Sequence, residues 1–181
     1  MSNTCNILFA GFGGQGILFA GKFVAYKGLL ENKQVSWLPS YGPEMRGGTA
    51  NCCVVISEDE IICPIVLEPT ELIAMNLPSL LKFEPTVVKG GTIFVNSSII
   101  TEKVSRDDVR AIYVPCLDIA NELGNAKVAN MVMLGAYVAA TKILKPETIE
   151  EMITEMFAGA KAKFIPLNIE AFRRGMACVE G

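Results

Sequence analysis

No histidine occurs in this 181-residue chain, and its six cysteines, Cys5, Cys52, Cys53, Cys63, Cys116 and Cys178, include no Cys-x-x-Cys pair. A mixed zinc site therefore lacks its imidazole, and a histidine proton shuttle is excluded. The thiols are too scattered for an iron–sulfur cluster borne by this chain. Lysine and arginine form no run and the formal net charge is −3, which argues against nucleic acid as a partner. The longest apolar stretch, Val128 to Thr141, lies between Lys127 and Lys142. It falls short of the roughly 20 residues that cross a bilayer and reads as a buried helix, so no membrane contact is expected. Internal repeats, low-complexity tracts and long linkers are lacking as well, which leaves a single domain over residues 1–181.

What is abundant is apolar surface. Hydrophobic residues make up 51% of the chain against 19% charged, and the mean hydropathy is +0.38. Either the core is generous or another subunit covers part of the exterior, because monomers leave few large apolar patches wet. The cysteines sit mostly in apolar runs and read as small buried hydrophobes. With no disulfide framework and no signal peptide, the expected compartment is a reducing cytoplasm.

Strands and helices alternate along the first two thirds. Asn6–Ala10 is a short apolar run ending at glycine, as a buried parallel strand does. Gly16 to Leu30 is apolar on most faces and reads as a helix packed closely on a sheet. Strands follow at Gln34–Leu38, stopped by Pro39, at Thr49–Ile56, expected to be central, and at Ile61–Cys63, capped by Pro64. Glu71–Met75, Thr92–Asn96 and Ala111–Val114 are further strands, with a helix from Pro78 to Val88. Beyond Cys116 the chain reads as helical over Cys116–Leu123, Val128–Leu144, Pro146–Phe157 and Ile169–Cys178. The fold class is α/β, a mainly parallel doubly wound sheet with flanking helices and a helical C-terminal third.

The densest signal is Gly11-Phe12-Gly13-Gly14-Gln15-Gly16, placed after a strand and before a helix. Its spacing is that of a dinucleotide fingerprint: glycines permit close backbone approach, and the helix start offers N–H groups to an anion. The carboxylate that would bind ribose at the end of the second strand is missing, since that strand ends Trp37-Leu38-Pro39-Ser40. Glu31 precedes the strand and belongs to the helix end. Three readings stay open: phosphate contact or docking against a partner's cofactor site, tight helix packing alone, and classical NAD binding. Gln15 favours the first by placing an amide donor and acceptor at the helix entrance.

A second segment, Ser40-Tyr41-Gly42-Pro43-Glu44-Met45-Arg46-Gly47-Gly48, is shaped by one proline and three glycines around a single arginine. Arg46 offers a planar fork of donors to a carboxylate or phosphate, and Glu44 can hold Arg46 or meet a partner's cation. The alternative is a surface loop with an incidental ion pair. In an open α/β sheet both segments emerge at the carboxyl ends of their strands, where ligands bind.

These paired segments closely resemble the gamma subunit of the 2-oxoacid:ferredoxin oxidoreductases, which act on pyruvate, 2-oxoisovalerate or 2-oxoglutarate. Asn51, Ala74-Met75-Asn76, Asn96-Ser97-Ser98, Ala120-Asn121-Glu122-Leu123-Gly124-Asn125 and Leu134-Gly135-Ala136 extend the likeness over most of the chain. The resemblance implies a Rossmann-like subunit working with alpha and beta chains, in some members with a small ferredoxin-like delta chain. Such an assembly converts a 2-oxoacid, coenzyme A and oxidised ferredoxin to acyl-CoA, carbon dioxide and reduced ferredoxin. Thiamine diphosphate, magnesium and iron–sulfur clusters are then expected on the partners, with no cofactor held by this chain alone and no catalytic residue supplied by it. Gly11, Gly13, Gly14, Gln15, Gly16 and Ser40, Tyr41, Gly42, Pro43, Glu44, Arg46, Gly47, Gly48 would border the shared active site. The alternatives are a purely structural interface subunit and a free-standing NAD(P)-dependent reductase.

Overall fold

The computed structural model describes residues 4–40 and 49–179. The chain divides into two compact units, Met1–Tyr113 and Val114–Gly181. The first is built on six strands: β1 (Thr4–Phe12), β2 (Gln34–Ser40), β3 (Thr49–Ser57), β4 (Glu71–Ala74), β5 (Thr92–Asn96) and β6 (Arg110–Val114). They form one sheet in the order β2-β3-β1-β4-β5-β6. β1 is parallel to β4 and β4 to β5, whereas β3 is antiparallel to both β1 and β2. Hence β1, β2, β4 and β5 point one way and β3 opposes them, which makes the sheet mixed.

From β1 the chain moves outward to β2 through helix α1 (Ile17–Leu30). From β4 it moves outward in the other direction, to β5, through α2 (Leu77–Phe83) and a short 3-10 turn at Glu84–Thr86. The topological switch point therefore lies between β1 and β4, and their carboxyl ends border the crevice that such a reversal opens.

The core is assembled on both faces of β1, whose Ile7, Leu8, Phe9 and Ala10 are all buried. On one face lies α1, brought close by its small residues. A methyl group at Gly21 would strike the Cys52 sulfur and approach Trp37 Nε1 to 3.2 Å, and one at Gly28 would meet Val35 at 2.9 Å. On the other face Leu8, Ala10, Leu72, Ala74, Ile93 and Val95 pack with Leu80, Val87 and Ile100. Buried Glu84 anchors the approach to β6, accepting hydrogen bonds from the Ser105 N–H (2.6 Å), the Ser105 hydroxyl (2.7 Å) and the Arg106 N–H (3.1 Å).

The second unit is helical: α3 (Cys116–Glu122), α4 (Ala129–Thr141), α5 (Ile149–Met156) and α6 (Ile165–Ala177), with 3-10 turns at Ala126–Val128 and Gly159–Phe164. α4 and α6 cross at backbone contact. A methyl group at Gly135 would collide with the Phe172 carbonyl, and one at Gly175 with the Val132 carbonyl. No helix among the described residues is long and apolar enough to cross a membrane.

Several local expectations are corrected. Ile61–Cys63 forms no strand, because residues 58–70 run as coil and Ile62 stands almost wholly in solvent. β2 continues through Pro39 to Ser40; it is an edge strand, and an edge tolerates a missing N–H. β3 is interior but lies one place from the edge, with β1 and β4 at the centre. α5 starts at Ile149, not Pro146, since Thr148 takes a left-handed conformation (φ 70°) just before it. Three cysteines, Cys5, Cys52 and Cys116, are buried as expected, whereas Cys63 and Cys178 are exposed.

Candidate functional site

β1 carries the first glycine segment into the crevice. Gly11 and Phe12 are still strand residues, paired with Ala50 and Thr49 of β3. A turn follows, closed by the Gln15 N–H donating to the Phe12 carbonyl at 3.2 Å. Gly14 (φ 92°) and Gly16 (φ 76°) supply the left-handed steps, and Gly16 is the N-cap of α1. Gly11 answers a different need. A methyl group there would lie 2.6 Å from both Gln15 Oε1 and Ile17 Cδ1, so a larger residue would displace the Gln15 and Ile17 side chains from their present positions.

Gln15 spans the crevice. Its Oε1 accepts the Phe12 N–H at 2.7 Å and its Nε2 donates to the Met75 carbonyl at 3.0 Å. Met75 in turn donates its N–H to the Ala10 carbonyl at 2.8 Å. The end of β1, the glycine turn and the end of β4 are thereby tied into one rigid corner. Asn76, the next residue, caps α2 through Oδ1, which accepts the Ser79 N–H at 2.9 Å. Neither Met75 nor Asn76 carries functional weight in the sequence reading. An Asn two residues before a proline at a helix start is the signal that marks the cap, but the Gln15–Met75 bond joins residues far apart in sequence.

The second segment begins at the same sheet edge. Asn51 of β3 pairs with Ala10 on one side and Ser40 on the other. Ser40 therefore leaves the sheet two strands from the glycine turn, roughly 10 Å away at ordinary strand spacing. The chain re-enters at Thr49, directly opposite Phe12. Tyr41, Gly42, Pro43, Glu44, Arg46, Gly47 and Gly48 lie outside the described residues; Ser40 is exposed at the strand end.

Beneath the turn sits Cys52, whose thiol donates to the Ile17 carbonyl at 3.6 Å. Burial pushes its pKa up to about 12, against a smaller opposing effect of the neighbouring Trp37. It is a packed thiol, not a nucleophile. Among the described residues no group of three or more His, Cys, Asp or Glu could hold a metal ion. Among the described residues, β2 ends Trp37-Leu38-Pro39-Ser40 without a carboxylate. Glu31 lies at the opposite end of α1 from the glycine turn, paired with buried Lys27 at 2.7 Å. What the corner can do chemically is present fixed N–H donors from the turn and from the first residues of α1.

Comparison with known proteins identifies the family. The family described as "Pyruvate ferredoxin/flavodoxin oxidoreductase" matches residues 6–178. Ketoisovalerate oxidoreductase subunit VorA of Methanothermobacter thermautotrophicus is 43% identical over 170 residues; the match covers 93% of this chain and 35% of that protein. The chain thus spans about a third of the length of this relative. 2-Oxoglutarate synthase subunit KorC of Methanocaldococcus jannaschii is 35% identical over 173 residues, covering 93% of this chain and 90% of that one. The crystal structure of a keto/oxoacid ferredoxin oxidoreductase gamma subunit from Geobacter sulfurreducens superimposes with a TM-score of 0.82 at 30% identity, over 97% of this chain and 98% of that one. With the glycine corner and the shared sheet edge in place, the family match from residue 6 to residue 178 places this chain in the pyruvate ferredoxin/flavodoxin oxidoreductase family.

Proposed function

We propose that this chain is the gamma subunit of a 2-oxoacid:ferredoxin oxidoreductase, which converts a 2-oxoacid, coenzyme A and oxidised ferredoxin to acyl-CoA, carbon dioxide and reduced ferredoxin. Its partners are alpha and beta chains, joined in some assemblies by a ferredoxin-like delta chain. Thiamine diphosphate with its magnesium, and the iron–sulfur clusters, belong to those partners. A branched-chain 2-oxoacid is the first substrate class to test, because the ketoisovalerate relative shares 43% identity with this chain.

One observation carries the reading. Ala10 and Ser40 flank Asn51, so two glycine-rich segments leave a single edge of the sheet. In the proposal this chain supplies no nucleophile and no proton shuttle. Gly11, Gly13, Gly14 and Gly16 shape a backbone that presents N–H donors, and Gln15 holds that backbone in place. Arg46, framed by Ser40, Tyr41, Gly42, Pro43, Glu44, Gly47 and Gly48, adds a cation for coenzyme A phosphates or the oxoacid carboxylate. Such donors gain strength in a cleft that partner chains close to water.

The free-standing NAD(P)-dependent reductase has the glycine spacing in its favour. Against it stand the end of β2, which bears no carboxylate, and Glu31, which is engaged by Lys27. Anaerobic purification of the native protein separates the readings. The expected result is a brown complex that contains alpha and beta chains and thiamine diphosphate. A chain that purifies alone and binds NAD(P)H tightly and stoichiometrically would overturn the proposal.

A further inference from the structure

Between β3 and β4 the chain runs through residues 58–70 without helix or strand, and it turns its apolar side chains outward. Ile62 is 96% exposed, Leu67 78% and Ile65 59%, with exposed Cys63 and Pro64 among them. The middle of this arm lies beside the sheet, with the Val66 backbone next to the Cys53 thiol of β3. Cys53 pairs with Leu38 of the edge strand β2, itself 45% exposed, so residues opposite one another on the same face continue the apolar patch onto the sheet. A patch this apolar and this prominent is uncommon on a monomer.

Its charge is one-sided. From Thr49 to Leu81 the sequence contains Glu58, Asp59, Glu60, Glu68 and Glu71 and neither lysine nor arginine. Glu58 is paired with Lys33 at 2.7 Å, while Asp59, Glu60 and Glu68 are exposed at the two ends of the apolar run. A second copy of this chain would bring like charges together, and an anionic lipid surface would be repelled. The complement is a protein surface with an apolar centre and a rim of lysine and arginine.

We propose that residues 61–67 together with Leu38 form a docking surface for the companion polypeptide that corresponds to the remainder of the longer VorA relative, of which this chain spans 35%. The inference rests on the gamma-subunit reading and adds to it the surface and the chemistry of its partner.

Cys63 provides a native probe. The free chain and the anaerobically purified complex are alkylated in parallel, and modification at Cys63 is followed by mass spectrometry. The expected result is rapid modification in the free chain and at least about tenfold slower modification in the complex. The double variant Ile62→Asp, Leu67→Asp alters side chains already in water and should keep the melting temperature of the free chain. Its affinity for the companion should fall by about 30-fold or more, the loss expected when central apolar anchors are removed. Added salt should weaken wild-type assembly further. Equal modification of Cys63 in both samples, or wild-type affinity in the double variant, would overturn the docking surface while leaving the gamma-subunit reading intact. Protection of Cys63 on concentrating the free chain alone would replace the companion by a second copy. Failure of the wild-type chain to assemble with any companion would overturn both.

Discussion

The side-chain amide of Gln15 donates to the Met75 carbonyl at 3.0 Å, joining the glycine turn after β1 to the end of β4. Its oxygen takes the Phe12 N–H at 2.7 Å, so one residue satisfies groups on both sides of the switch point. Truncation, Gln15→Ala, leaves both without their partner. It should cost about 0.5–1.5 kcal/mol and speed exchange of the Phe12 amide, which then faces water. Gln15→Glu keeps an acceptor for Phe12 but sets a carboxylate against the Met75 carbonyl. Phe12 protection should therefore survive in that variant while stability still falls. Hydrogen exchange and urea unfolding of the two variants measure this directly.

The crossing of α4 and α6 predicts a sharp contrast between two glycines. Gly175→Ala drives a methyl group into the Val132 backbone carbonyl, where no flexible side-chain end can move aside. The expected cost is about 3 kcal/mol, seen as a lower melting temperature. Gly14→Ala meets nothing within 4 Å and pays only for its left-handed backbone (φ 92°), about 1–2 kcal/mol. The larger loss should belong to Gly175, a glycine of the helical unit that the candidate site does not include.

Glu71 gives the fold an inverted acid response. Burial raises its pKa above the usual glutamate value, against hydrogen bonds from Cys5 Sγ (2.8 Å) and the Thr70 hydroxyl (2.5 Å) that lower it. As pH rises from the ordinary carboxylate value to the raised one, the unfolded chain releases this proton before the folded chain does. The folded state then binds more protons, and stability falls with rising pH across that window. Below the window both states are protonated and Glu71 contributes nothing; above it the loss is complete and constant. Glu71→Gln should remove this component and be more stable than the wild type at neutral pH, as urea midpoints between about pH 4 and pH 8 would reveal.

Much of this architecture is legible in the residues, and the gaps have physical causes. β5 matches its expected bounds of Thr92–Asn96, because a glycine pair precedes an unambiguous apolar run. The direction of β3 is not legible. Its residues are buried on both faces, so its pattern imitates a parallel strand although it pairs antiparallel on both sides. Ile61–Cys63 has strand composition but no strand beside it, since β4 takes the place next to β1. At the site, glycine spacing and the missing ribose carboxylate could be read directly. The Gln15 brace could not, because it depends on a carbonyl brought close only by β1–β4 pairing.

In the proposed assembly Arg46 and the glycine corner lend binding groups to chemistry performed by partner chains. The most direct measurement is steady-state kinetics of the reconstituted complex carrying Arg46→Ala, with assembly monitored by sedimentation. The predicted result is an intact complex with a raised KM for coenzyme A or the 2-oxoacid. An unchanged kinetic profile in that complex, or turnover by this chain alone, would contradict it.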